Sequence, residues 1–182
     1  SLQKVPKALR GEVMDATGEY SQFFSQLGID GPEAMGLLAA ASEDGQYGID
    51  KMGDALKELT IRSTDMSTTS VAAYEAAGLS AEDMSAKFLA GGDTARGAFD
   101  ELIAGLQGIE DPTERANAAI GLFGTPLEDL STSDIPDFLD SLSSMDSSLG
   151  DVAGTAEQLD ETMGDAVDPV ESVKRSFVGI LT

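Results

Sequence analysis

The sequence predicts an all-α protein: an array of short amphipathic helices joined by tight glycine-capped turns, passing into an acidic helical C-terminal third. Three observations predict it. A phrase of glycine, aliphatic residue and helix-capping residue recurs as Gly28-Ile29-Asp30, Gly48-Ile49-Asp50 and Gly78-Leu79-Ser80, and more loosely as Gly108-Ile109 ahead of Asp111-Pro112. Between these phrases apolar residues return every three or four positions, the spacing that lines one helix face. No segment sustains the period-two alternation of a half-buried strand. Within the phrase, glycine takes the left-handed conformation that ends a helix. The aliphatic residue folds back onto the last turn, and Asp or Ser accepts from the free N–H groups of the next helix.

The first helix is expected to begin near Pro6 and run to Gly28, with Leu9, Val13, Ala16, Tyr20, Phe23, Phe24 and Leu27 on one face. Asp30-Gly31-Pro32-Glu33 reads as a capping box with a first-turn proline. It opens an Ala-rich helix through Leu37, Leu38 and Ala41 that fails at Gly45. Asp50 opens the next, with Met52, Ala55, Leu56 and Leu59 on one stripe and Glu58 and Arg62 placed to pair at i,i+4. A polar connection from Asp65 to Thr69 leads to a short helix ending at Ala77. Ser80 caps another, which Gly91-Gly92 breaks. Ala95, Phe99, Leu102, Ile103 and Leu106 form the clearest amphipathic stripe of the chain. Asp111-Pro112-Thr113-Glu114 is again cap, proline and acid, with Ala116, Ala119, Ile120 and Phe123 facing inward. Gly124-Thr125-Pro126-Leu127-Glu128 repeats the stop and start, as does Asp168-Pro169-Val170-Glu171.

Near residue 131 the character changes. No Lys or Arg lies between Ala116 and Val173, and Ser and Asp dominate from Ser131 to Asp151. Apolar periodicity persists in Ile135, Phe138, Leu139 and Leu142, then in Val152, Ala156, Leu159 and Met163. We therefore divide the chain into a compact multi-helix region, 1–130, and an acidic helical extension, 131–182, whose apolar stripes need a neighbour to cover them. The chain starts without Met and ends in residues that still read as helix, so it is expected to be a piece of something longer.

Composition narrows the function classes. The 182 residues carry 33 acidic and 11 basic groups, a net charge of −22, with no His, Cys or Trp. The missing His and Cys remove the commonest general base, the commonest metal ligand and thiol chemistry. The charge argues against binding nucleic-acid phosphates or an anionic membrane surface. It serves solubility, or it repels DNA or meets a basic partner. Paired carboxylates abound by number alone, but the aromatics that stack sugars are scarce. No EF-hand loop, GxxxxGK[ST] or GxGxxG is present. Gly91-Gly92 at a helix start faces Asp93, which repels an anion, so it reads as a helix break. No catalytic, metal or cofactor-binding residue is assigned, and no run approaches the ~20 apolar residues of a membrane helix.

One ordered set of phrases carries a resemblance. It comprises Met52-Gly53-Asp54-Ala55-Leu56-Lys57-Glu58-Leu59 with Arg62; Ala77-Gly78-Leu79; and Gly91-Gly92 followed by Arg96 and Phe99. Ile109-Glu110-Asp111-Pro112 with Arg115 and Asn117 follows, then Leu122-Phe123-Gly124-Thr125 with Glu128-Asp129. The block from Met52 to Asp129 resembles the helical region of tail tape measure proteins of long-tailed bacteriophages and prophages.

The resemblance implies a long helical structural protein inside the tail tube. Its length sets tube length, and it leaves ahead of the DNA at infection. It implies several copies in one tube, contact with tube, baseplate and tail-tip proteins and with tail assembly chaperones, and residence in the host cytoplasm during assembly. Some members of that family carry lytic domains or membrane segments elsewhere; from its residues and charge, this segment is expected to have no enzyme activity, no cofactor and no direct nucleic-acid or membrane contact. The roles expected of the motif residues are structural. Met52, Leu56, Leu59, Phe99, Leu102, Ile103, Ile120, Leu122 and Phe123 make core. Arg62, Arg96 and Arg115, scarce cations, each hold a carboxylate or a helix end. The alternative is an acidic helical adaptor that binds a basic partner through its C-terminal third.

Overall fold

The computed structural model describes residues 7–44 and 48–144, and for Leu9 and residues 42–44 only the backbone. Among these residues there are nine α-helices, one 3-10 turn and no strand. In order they are α1 (Lys7–Glu19), α2 (Ser21–Gln26), α3 (Gly31–Asp44), α4 (Ile49–Arg62), α5 (Thr68–Ala76), α6 (Ala81–Ala90), α7 (Gly92–Gln107), α8 (Pro112–Phe123), the 3-10 turn Thr125–Leu127 and α9 (Ile135–Ser143). The fold is all-α, built from short helices. Pro6, the Leu9 side chain, Gly45, the stripe from Val152 to Met163 and the Asp168 stop lie outside the described residues.

Local chemistry sets most helix ends. At Gly28 (φ 71°) the Ile29 N–H donates to the Phe24 carbonyl at 2.9 Å. At Gly78 (φ 74°) the Leu79 N–H donates to the Tyr74 carbonyl at 2.8 Å. These are the six-to-one bonds of a left-handed glycine cap. The capping box closes reciprocally: the Glu33 N–H donates to Asp30 Oδ1 at 2.8 Å, and the Asp30 N–H to Glu33 Oε2 at 3.0 Å. Asp111 accepts from the Thr113 and Glu114 N–H groups at 2.9 and 2.8 Å, and Ser80 accepts from Asp83 at 3.3 Å.

Three ends differ from the sequence reading. The first helix is two: Tyr20 (φ −93°, ψ 2°) leaves helical geometry between α1 and α2. Its ring lies against Gly53 of α4, and its hydroxyl donates to Asp54 at 3.1 Å, so a tertiary contact overrides helix continuity. Gly48 (φ 62°), not Asp50, is the residue ahead of α4. Asp50 lies inside the first turn, where its charge favours the helix dipole. Gly108 is right-handed (φ −73°), so the fourth phrase ends its helix without a left-handed glycine.

The core runs through α4 and α7. α4 packs on α1, α2, α3, α8 and the 3-10 turn, whereas α7 packs on α2, α6, α8 and α9. Met52, Leu56, Leu59, Phe99, Leu102, Ile103, Leu122 and Phe123 are all buried. Ile120, expected among them, is half-buried, because Ala118, Ala119 and Leu122 take the inner face of α8. α9 buries Ile135, Phe138, Leu139 and Leu142, and Phe138 meets the Phe123 ring edge-on at 5.3 Å between centroids.

Candidate functional site

The motif residues gather at helix junctions, and the scarce arginines organise them. Arg96 of α7 lies 3.4 Å from Glu33 of α3 and 2.6 Å from Asp100, with its guanidinium 5.7 Å above the Phe99 ring. Glu33 thus closes the capping box with one oxygen and meets α7 with the other. Both partners of that pair are nearly buried, where an ion pair feels less screening and losing one member leaves a stranded charge. Arg62 donates to Glu58 at 3.0 Å and reaches the Gly121 carbonyl at 3.5 Å, which places a cation at the C-terminal end of α8. Arg115 donates through Nε to the Ile109 carbonyl at 2.9 Å, taking up a carbonyl of the α7–α8 turn.

The remaining motif residues divide by role. Met52, Leu56, Leu59, Phe99 and Phe123 are core. Gly53 lets the Tyr20 ring lie flat on α4: a Cβ there would sit 2.6 Å from Tyr20 Cδ2. Asp54 receives the Tyr20 hydroxyl. Lys57 places its ammonium 5.9 Å over the Phe23 ring. Gly91 (φ 69°) and Gly92 (φ 54°) turn the chain from α6 into α7. Asp111 caps α8 and Pro112 begins it. Gly124 (φ 73°) stops α8 under the Glu58–Arg62 pair, Thr125 begins the 3-10 turn and exposed Glu128 ends it. So Gly53, Asp54 and Lys57 meet α2 and its Tyr20 hinge, Arg96 meets α3, and Arg62 with Gly124 joins α4 to α8. They do not converge on one cleft. Sequence reasoning missed Tyr20 as the partner of Gly53, and Glu33 as the partner of Arg96. Neither pairing leaves a local signal in the sequence, because each joins residues more than thirty positions apart.

Two buried phenols couple the packing to pH. Burial first, then the hydrogen bond to Asp54, pushes the Tyr20 hydroxyl from 10.0 up to about 12. Burial pushes Tyr74, whose hydroxyl donates to the Ser63 carbonyl at 3.1 Å, up further. The folded chain therefore holds these protons where the unfolded chain releases them. Stability from them is fully present below the unfolded value near 10 and is lost as pH rises towards 12 and beyond. Urea melts from neutral pH upwards should show a decline that begins near pH ~10. Tyr20→Phe should flatten it, and an unchanged slope in that variant would overturn the assignment.

Among the described residues no group of three or more His, Cys, Asp or Glu side chains is placed to hold a metal. No described helix is long and apolar enough to cross a membrane. An open cleft of about 550 Å³ lies between α5 and α8, lined by Thr69, Ala72, Ala76, Glu114 and Asn117. What the arrangement does chemically is to lock helix against helix.

Residues 5–124 match the phage-related minor tail protein family, a span covering α1 to α8 and ending at Gly124. This chain belongs to the phage-related minor tail protein family. A relative described as "Probable tape measure protein", from Streptomyces phage phiC31, is 36% identical over 154 residues. That alignment covers 85% of this chain but 21% of the relative, so the chain spans about a fifth of that protein's length. No solved structure matches. The resemblance to tape measure proteins read from the ordered phrases therefore stands. As a minor tail protein the chain has a structural place in the phage tail. All three arginine junctions lie within the family span, and α9 packs onto it from outside.

Proposed function

We propose that this chain is a helical segment of a tail tape measure protein, which helps set tube length and fills the tube lumen until the DNA leaves. The observation that carries the reading is the 36% identity to a tape measure protein over 85% of the chain. In this reading the segment has no catalytic role. Its partners are further copies of itself, the tube, baseplate and tail-tip proteins, and assembly chaperones. It is made in the host cytoplasm and ends in the virion tail. The net charge of −22 suits a lumen through which DNA must pass without adhering. Tight DNA binding at low salt would contradict that point.

The test is tail length by electron microscopy after in-frame deletion of this segment from the parent phage. As one continuous helix, 182 residues span about 270 Å. Shortening approaching that value is expected of a segment that lies extended in the finished tube. Tails of normal length would overturn the ruler role and leave a folded module that acts in initiation, docking or release. The acidic charge also favours a second reading, a scaffold for a basic partner protein. Salt-sensitive capture on purified tube or baseplate protein would distinguish it.

A further inference from the structure

We propose that the open cleft between α5 and α8 is the docking groove for this chain's own C-terminal segment, residues 169–181, which lies outside the described residues. The cleft holds about 550 Å³. Its floor is alanine: Ala73 and Ala118 are buried, Ala76 is half-buried and Ala72 exposed. Nothing longer than a methyl group rises from that floor, so it takes large apolar side chains from outside. Asp111 and Glu114 bring negative charge to the α8 side. Asp111 is engaged as the cap of α8. Glu114 gives its N–H to that cap, and its carboxylate has no hydrogen bond or ion pair among the described residues.

Charge and reach select the occupant. Lys51, Arg62, Lys87 and Arg96 each meet a carboxylate already, Arg115 meets a carbonyl and Lys57 a ring. After Arg115 the sequence offers two more bases, Lys174 and Arg175. Around them Val170, Val173, Phe177, Ile180 and Leu181 recur at the three-and-four spacing of one helix face, and Lys174 falls at the edge of that face. Asp168-Pro169 repeats the cap and proline that open α8. An amphipathic helix lies in a groove through anchors at this spacing. Here it seats Phe177 on the alanine floor and brings Lys174 to Glu114. Residues 145–168 supply the reach: they would span about 36 Å as helix and up to ~80 Å extended, against a radius of gyration of ~14 Å for a domain of the described size. The tether also raises the effective concentration of the segment at the cleft. The docking does not rest on the tape measure reading, and its failure would leave the tail-length experiment untouched.

Cross-linking in the full 182-residue chain tests it, because the sequence has no cysteine and engineered thiols stand alone. One variant carries Ala72→Cys in the cleft and Ser176→Cys in the segment. A second pairs Ser176→Cys with Met14→Cys, at an exposed residue of α1 outside the cleft. A short bis-maleimide should join the A72C pair within one chain at least ~10-fold faster than the M14C pair. Phe177→Asp should remove that advantage, and Lys174→Glu with Arg175→Glu should reduce it. Glu114→Lys should reduce it too, and Glu114→Lys together with Lys174→Glu should restore part of it. If A72C alters the melting curve, T69C on the same cleft replaces it. Equal rates for the two pairs, an advantage that survives Phe177→Asp, or cross-links that join two chains rather than one would each overturn the proposal.

Discussion

A Gly28→Ala variant is expected to lose about 2–5 kcal/mol of folding stability, from a left-handed strain of ~1–2 and an overpacking cost of ~1–3. Gly28 ends α2 at φ 71°, and α7 begins directly beneath it. An added Cβ would press into the Gly92 carbonyl oxygen and lie 2.7 Å from the Arg96 nitrogen. Both are backbone atoms, which cannot swing aside as a side chain end can. Relief would have to move α2 off α7, and with it the Arg96–Glu33 contact. Gly78 supplies the comparison: its φ is 74°, yet nothing lies within 4 Å of the position its Cβ would take. Gly78→Ala should therefore show the strain alone, about 1–2 kcal/mol. Urea unfolding measures both as a fall in midpoint at constant slope. Equal losses at the two positions would show that the α2–α7 approach contributes nothing.

Phe99→Ala is expected to cost a similar 3–5 kcal/mol. Phe99 is fully buried on α7, the helix that touches α2, α6, α8 and α9, and its ring carries the Arg96 guanidinium. Truncation removes the apolar contact, leaves a cavity and takes away the surface on which Arg96 rests. Ile120→Ala on half-buried α8 surface should cost much less. A loss below ~1 kcal/mol for Phe99→Ala, against the usual range for buried Phe, would mean that α7 is not the packing centre.

How far the fold was legible can be argued from particular residues. Asp111, Ser80 and the Asp30–Glu33 box are readable because capping is settled within four residues. The stripe Ala95–Phe99–Leu102–Ile103–Leu106 is readable because helical period alone places it on one face. Tyr20 was not. Its run of apolar residues reads through to Leu27 as one helix, and only Gly53, more than thirty residues later, explains the break. Glu33 showed its capping role but not its pairing with Arg96, which depends on how α3 and α7 cross. Gly53 and Gly124 announced a constraint without naming what presses on them, the Tyr20 ring and the Glu58–Arg62 pair.

The sequence by itself therefore determined most of the helices, most of their ends, the buried faces and, through the ordered phrases, the resemblance to tail tape measure proteins. These follow from interactions spanning a few residues, or from patterns that need no partner to be recognised. Only the tertiary structure decided which helix each face meets, that Tyr20 divides the first helix against Gly53, and that Arg96 joins α3 to α7. It also decided that Phe138 closes over Phe123. Such contacts join residues far apart in the chain, and helical periodicity specifies an apolar face without specifying which other face will cover it.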